Sequence, residues 1–142
     1  MSAMIHAVYP VKADDYTFAG EASTDIKRKL KQLGVVATVL RRVSVASYEV
    51  ELNLVIHSMG GTLTLQVDPE KVTLISQDVG PGIPDIDRAM TEGYSTANEE
   101  ARTLGFGAGM GLPNMRRNAT DFSIESQVGV GTRIVMSFAL AG

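Results

Sequence analysis

The order of hydrophobic patterns along the chain is the sequence feature that most restricts its fold. Apolar residues recur every three or four positions from about residue 17 to residue 58, which is helical spacing. Beyond residue 61 the clearest pattern is alternation of apolar and polar residues, which is typical of half-buried strands. Helices grouped early and antiparallel strands grouped late predict a two-layer α+β sandwich.

The first half of the chain is predicted to hold one short strand and two helices. Weak alternation over Ile5–Tyr9 predicts the strand. The first helix is predicted from about Thr17 to Leu33 with Gly34 as its C-cap, and the second from about Thr38 to Ser58 with Thr38 as its N-cap. Their apolar stripes are Phe18, Ala22, Ile26, Leu30 and Leu33 in the first helix, and Val39, Val43, Ala46, Val50 and Leu54 in the second.

The second half is predicted to hold a hairpin, a glycine-rich loop and a second pair of strands. Strands Thr62–Asp68 and Lys71–Asp78 pair through a turn at Pro69 and Glu70. A loop-rich stretch runs from Gly80 to Gly111. The other predicted elements are short helices at Pro84–Met90 and Leu112–Ala119, and strands at Asp121–Ser126 and Thr132–Leu140.

Composition narrows the class of protein. The 142 residues are predicted to form one domain, 1–142. A net charge of −3 argues against nucleic-acid binding through a bulk basic field, so the basic run from Lys27 to Lys31 is better interpreted as a solvated helix face than as a nucleic-acid patch. Cysteine is absent, which excludes disulfides and thiolate zinc sites. Without a signal peptide or an apolar run of roughly 18 residues, we expect a cytoplasmic protein with no membrane partner.

Four groups of residues have the chemistry of a nucleotide site. Glu49, Asn53 and His57 are spaced to share one helix face. Asp78 ends a predicted strand, ahead of Gly80 and Gly82. Glycines before a helix, as in the run from Gly105 to Gly111, let backbone N–H groups approach phosphate oxygens. The fourth group is Gly129-Val130-Gly131-Thr132 at the last strand.

Taken singly, each motif also has a structural explanation. Glycines before a helix often serve a turn, Asp78 alone can form an Asx turn, and a Glu–Asn pair often marks a polar helix face. The Walker phosphate loop is absent, because Gly111 is followed by no Gly-Lys-Ser/Thr. His6 and His57 are too few for a zinc site and are interpreted as structural.

Together and in this order, the motifs resemble the nucleotide-binding fold shared by gyrase-type ATPases, Hsp90, histidine kinases and MutL, the GHKL superfamily. That resemblance implies a Bergerat-type α/β sandwich, with a mixed, mostly antiparallel sheet and helices on one face. The stretch from Asp78 to Thr96 and the segment Asp121–Ser126 most resemble stressosome switch kinases, which are small bacterial serine/threonine kinases of the anti-sigma-factor class.

The resemblance implies a role for each matching residue. Glu49 would be the general base, and Asn53 would ligate Mg²⁺ on the phosphates of ATP. Asp78 would bind the adenine amino group with support from Thr132, while Gly80 and Gly82 would leave room for the base. The lid residues would be Gly107, Gly109 and Gly111, and Arg102 would either reach the γ-phosphate or be solvated.

Three functions follow from this resemblance. The first is an ATP-dependent kinase acting on a serine or threonine of a small anti-anti-sigma (STAS-type) antagonist or scaffold protein. The second is a module that binds a sigma factor or another regulator, and the third is an ATP-binding accessory subunit with little kinase activity. Relatives of this class form dimers, so a homodimer is also possible.

Tyr48 is a departure from the family pattern. It precedes Glu49, at a position where the family often has a small residue.

Overall fold

The computed structural model describes residues 5–91 and 111–140. The described strands form one five-stranded sheet in the order β1-β2-β3-β5-β4. Its neighbouring strands are antiparallel in every described pair, so the predicted mixed sheet is antiparallel throughout this part of the chain. The elements in chain order are β1 Ile5–Val11, α1 Glu21–Gln32, α2 Ala37–His57, β2 Gly61–Val67, β3 Lys71–Asp78, α3 Ile86–Ala89, α4 Gly111–Asn118, β4 Asp121–Gln127 and β5 Gly131–Ala139.

The core lies between one face of the sheet and helices α1, α2 and α4. Burial alternates along the strands, so that one face is packed while the other is more accessible. Leu65, Leu74 and Met136 are fully buried neighbours across the three central strands. Against them pack the buried stripe of α2, which matches the predicted stripe at all five positions, and Met115 of α4. The predicted α+β architecture is confirmed.

Helix α1 begins at Glu21, four residues later than predicted. Phe18 is 56% exposed and Leu33 is 43% exposed, so neither belongs to the buried stripe of Ala22, Ile26 and Leu30. The chain enters the helix through Gly20, whose φ of 102° is left-handed and favours glycine. Gly34, with a φ of 80°, follows the end of the helix as predicted.

The first turn of α1 is capped by a side chain from another helix. No side chain of its own N-cap residue accepts a hydrogen bond there. Instead the Glu51 carboxylate of α2 accepts the N–H groups of Gly20 and Ala22 at 3.1 Å and of Ser23 at 2.9 Å. Glu51 is 2% exposed. A buried carboxylate therefore supplies both the missing acceptors and a negative charge at the positive end of the helix.

The start of α2 contradicts the predicted cap. Thr38 lies inside the helix, because α2 begins at Ala37 after the extended residue Val36 and has no side-chain cap. The predicted strand ends agree with the structure to within one residue, except that β1 runs on to Val11 where the prediction ended at Tyr9. Leu140 lies just beyond β5. The short helix predicted near Pro84–Met90 is α3, and Asp85 caps it by accepting the N–H of Arg88.

Candidate active site

Helix α2 carries Glu49 and Asn53 one turn apart on the same face. Both side chains are half-buried, whereas the neighbouring Val50 and Leu54 are fully buried in the core. No hydrogen bond joins the Asn53 side chain to another described residue. Its amide oxygen is therefore available to a ligand, as the predicted role in holding a hydrated cation requires.

The Glu49 carboxylate lies against the start of α4. A Cβ on Gly111, the first residue of that helix, would be only 3.2 Å from Glu49 Oε2. Asn114, one turn further on, donates a side-chain hydrogen bond to Glu49, while its own oxygen accepts from Arg117 Nη1 at 3.2 Å. The last glycine of the glycine-rich run is therefore brought to the predicted base.

Burial raises the pKa of the Glu49 carboxyl above its usual value. The hydrogen bond from Asn114 opposes that rise, because it favours the ionised form, but burial is the larger effect. A carboxylate with a raised pKa is a stronger base than an exposed one, which suits the removal of a proton from a hydroxyl group.

Asp78 ends the central strand β3 and is 8% exposed. Its Oδ1 atom accepts the backbone N–H of Thr132 at 2.8 Å, which brings two residues of the predicted adenine site together. No hydrogen bond from a described residue reaches Oδ2, and no buried side-chain oxygen of the described chain lacks a partner, so Oδ2 is accessible. Burial raises the pKa of this carboxyl, and the Thr132 N–H partly opposes the rise.

Glycines from both neighbouring strands press against the end of β3. A Cβ on Gly61 of β2 would lie 2.3 Å from the Gln77 carbonyl oxygen, and a Cβ on Gly131 of β5 would lie 2.2 Å from the Asp78 carbonyl oxygen. Contacts this close exclude every residue larger than glycine unless the backbone moves. The position of the Asp78 carboxylate is therefore fixed by the backbone on both sides.

The loop after Asp78 is fastened to the β4–β5 turn. Gly80 N–H donates to the Val130 carbonyl at 3.1 Å, and Gly129 N–H donates to the Pro81 carbonyl at 2.8 Å. Gly82 has a φ of 75°, and its Cβ would lie 2.5 Å from the Gln127 carbonyl oxygen. Gly82 is thus required by this contact with β4, a reason that the sequence motif alone did not indicate.

The described residues bring together Glu49, Asn53 and Gly111 in one group, and Asp78, Gly80, Gly82 and Thr132 in another. The predicted residues Arg102, Gly107 and Gly109 lie outside the described part of the chain. Two polar residues at these groups were not predicted: Asn114, which contacts Glu49, and Ser126, which contacts Thr132. Asn114 lies three residues after Gly111, a helical spacing that could have indicated it.

The donor set fits Mg²⁺ better than a transition metal. Residues 5–91 and 111–140 contain no group of three His, Cys, Asp or Glu side chains that could hold a metal by themselves. Asn53 offers one hard oxygen. A cation that keeps several waters and takes its other ligands from phosphates needs such an oxygen.

Among residues 5–91 and 111–140, no helix has the length and apolar character of a membrane span.

Comparison with known proteins identifies the class to which this fold and site belong. Residues 38–142 match the family described as histidine kinase-, DNA gyrase B-, and HSP90-like ATPase. The chain belongs to that family. The match covers α2 from its second residue and every element after it, including each described residue of both groups.

Among relatives, serine/threonine-protein kinase RsbT of Bacillus subtilis (strain 168) is 32% identical over 108 residues, which are 73% of this chain and 75% of the relative. Anti-sigma F factor of Thermoanaerobacter sp. (strain X514) is 30% identical over 121 residues, 82% of this chain and 81% of the relative. Anti-sigma F factor of Clostridium acetobutylicum is 31% identical over 105 residues, 69% of this chain and 70% of the relative. The predicted GHKL resemblance and enzyme class are confirmed.

Proposed function

We propose that this chain uses Mg²⁺ and ATP to phosphorylate a serine or threonine of a small STAS-type antagonist or scaffold protein in a bacterial partner-switching system. The observation that carries the proposal is the setting of Glu49. Its half-buried carboxylate has a raised pKa, contacts the start of α4, and lies one turn from Asn53, whose side chain forms no hydrogen bond with another described residue. A protein that only binds ATP does not need a base in that place.

The chemistry assigned to Glu49 is proton removal. The substrate hydroxyl oxygen forms a bond to the γ-phosphorus while the bond from that phosphorus to the β–γ bridging oxygen breaks, and Glu49 accepts the hydroxyl proton. Because phosphoryl transfer depends mainly on positioning and charge neutralisation, one base and a few positioning groups are sufficient. Mg²⁺, when bound through Asn53, supplies neutralisation of the phosphate charge.

The second group of residues is proposed to bind the adenine ring. The accessible Oδ2 of Asp78 is a suitable acceptor for the amino group, and Thr132 orients Oδ1 through its N–H at 2.8 Å. We propose that Gly80, Gly107, Gly109, Gly111 and Arg102 serve the nucleotide as the family resemblance implies. We also propose a cytoplasmic reaction, since it consumes ATP.

The test is phosphate transfer from [γ-³²P]ATP with Mg²⁺ to STAS-domain proteins of the source organism, with purified parent chain and with Glu49→Gln. We expect the parent to label a serine or threonine of one such protein. Glu49→Gln should slow transfer by about 10²-fold or more, the contribution typical of a general base, while ATP still binds. Glu70→Gln is the matched control, because Glu70 is exposed and remote from the site. Transfer by Glu49→Gln at the parent rate would refute the base.

A second candidate, capture of a sigma factor, is favoured by the anti-sigma F factor relatives, of which that of Thermoanaerobacter sp. (strain X514) matches 82% of the chain, against 73% for the kinase RsbT. Sigma binding and kinase activity give different results with one variant. If capture of a sigma factor is the function, Glu49→Gln should still bind that factor. If the chain is a kinase, Glu49→Gln should lose phosphate transfer, and no sigma factor is expected to bind either protein. Pull-down of purified sigma factors with parent and variant distinguishes the two.

A further inference from the structure

Ser126 forms a hydrogen-bond network that the sequence motifs do not include. It is the cross-strand neighbour of Thr132 in the β4–β5 pair. Its Oγ atom lies 2.7 Å from the backbone nitrogen of Ile83, 2.8 Å from Thr132 Oγ1 and 3.2 Å from the Gly131 carbonyl oxygen. The network therefore joins the loop after Asp78 to the strand that carries Thr132.

Counting hydrogens gives this network a direction. A serine hydroxyl can donate one hydrogen bond and accept two. The Ile83 N–H can only donate to Ser126, and the Gly131 carbonyl can only accept from it. If Ser126 donates to Gly131, Thr132 must donate to Ser126, and all three contacts are satisfied at once. The opposite direction between the two hydroxyl groups would leave the Gly131 contact without a hydrogen.

The direction determines what Thr132 can offer to a ligand. In the arrangement that satisfies all three contacts, the only hydroxyl hydrogen of Thr132 is donated to Ser126, so Thr132 Oγ1 can accept a hydrogen bond but cannot donate one. The neighbouring Asp78 carboxylate, when ionised, also only accepts. This end of the site therefore presents acceptors from both side chains.

We infer that Ser126 is a specificity-determining residue: by holding Thr132 as an acceptor, it selects a purine with an amino group at carbon 6 over one with an oxygen there. The inference rests on the proposed function, in which Asp78 and Thr132 bind the base. A 6-amino group brings two N–H donors to these acceptors. A 6-oxo group brings lone pairs, which face the lone pairs of Thr132 and are repelled.

The test compares the dissociation constants of Mg-ATP and Mg-ITP, measured by isothermal titration calorimetry. The hypoxanthine base of ITP has a 6-oxo group and N1–H, without the 2-amino group of guanine. We expect the parent to prefer ATP, and Ser126→Ala to reduce that preference about tenfold, the factor that one hydrogen bond carries. The reason is that Thr132 could then donate to the 6-oxo oxygen. Ser126→Thr, which keeps the hydroxyl, should retain the preference.

The outcomes separate the inference from the proposed function. If Ser126→Ala weakens both nucleotides equally, Ser126 has only a structural role and the inference is wrong. If the parent binds neither nucleotide, the proposed function fails as well. In a Thr132→Val background, Ser126→Ala should leave the preference unchanged, and a further change there would contradict the inference. Should Ser126→Ala not fold, Thr132→Val alone must reduce the preference for ATP, since only the Asp78 carboxylate then remains as an acceptor, and a preference equal to that of the parent would overturn the inference.

Discussion

Glu51 fastens α1 to α2, and its replacement gives a sharp test of how this fold is held together. The carboxylate accepts three backbone N–H groups from residues that precede it by 28 to 31 positions. Glu51→Ala would remove every one of these acceptors at a site that is buried except near Gly20. Glu51→Gln keeps the size of the side chain but removes one acceptor oxygen together with the negative charge.

The magnitude follows from the individual contacts. In Glu51→Gln, the remaining oxygen can keep the N–H groups of Gly20 and Ala22, but the new NH₂ group would face the N–H of Ser23, now 2.9 Å from Oε1. One lost bond to a charged acceptor and one buried donor without a partner cost about 2 kcal/mol. Glu51→Ala, which leaves more donors without a partner, should cost about 3–5 kcal/mol. That is a large share of the roughly 5–15 kcal/mol that stabilises a domain.

The assay is equilibrium unfolding in urea at pH 7, followed by far-UV circular dichroism, for the parent, Glu51→Gln, Glu51→Ala and Glu70→Gln. Amide hydrogen exchange at residues 20–23 gives a local measurement. In the Glu51 variants these amides should exchange faster than in the parent, and they should exchange before those of α2 do. The control should unfold at the parent's urea midpoint. A Glu51→Gln midpoint equal to that of the control would refute the argument that this carboxylate caps α1.

Three further predictions concern stability and pH. Because burial raises the pKa of Glu49, the contribution of this carboxyl to stability is fully present below the unfolded value of 4.5 and is lost as pH rises through the folded pKa. In thermal melts, the stability of Glu49→Gln relative to the parent should therefore increase from pH 4 to pH 8. The same difference in stability at pH 4 and at pH 8 would contradict this prediction. Gly82→Ala should lower the free energy of unfolding in urea more than Gly129→Ala does. Both glycines have a positive φ (75° and 80°), but only a Cβ at Gly82 would meet backbone atoms. Equal losses of unfolding free energy would show that the strain of the positive φ alone matters. Hydrogen bonds from Lys29, Tyr9 and Arg28 lower the pKa of Asp25, so the stability that these bonds give is present above pH 3.8 and is lost as pH falls. Asp25→Asn should therefore cost at most about 1 kcal/mol of unfolding free energy at pH 7, and progressively less in acid. A cost that does not change with pH would show that these hydrogen bonds do not favour the ionised form of Asp25.

The sequence predicted the architecture well because the buried stripes are regular. All five apolar positions of the α2 stripe are buried, and the hairpin of β2 and β3 pairs as expected. Helix starts were harder to predict, since Thr38 suggested a cap that the structure does not use. The true cap of α1 could not be predicted, because Glu51 acts across some 30 residues and only the packing of two helices brings it there.

The residues of the candidate site that belong to sequence motifs could be predicted. The residues that reach the site only through three-dimensional packing could not. Asp78 and Thr132 are hydrogen-bonded, and Gly111 lies against Glu49, as a shared site requires. The reason for glycine at Gly82, by contrast, is a carbonyl of β4 that is 45 residues away in sequence. Ser126 was also missed, because its role depends on strand register and on the count of available hydrogens.

The pairing of β3 with β5 also determines when the site can first exist during synthesis. Asp78 and its hydrogen-bond partner Thr132 are 54 residues apart, and the β4–β5 hairpin must be complete before Gly131 and Thr132 can close on the end of β3. Contacts between such distant residues form late, after the cost of closing the intervening loop is met. A nascent chain that has only just exposed β3 outside the ribosome therefore lacks the closed form of the proposed base pocket, and nucleotide affinity acquired during translation would report the docking of the last hairpin.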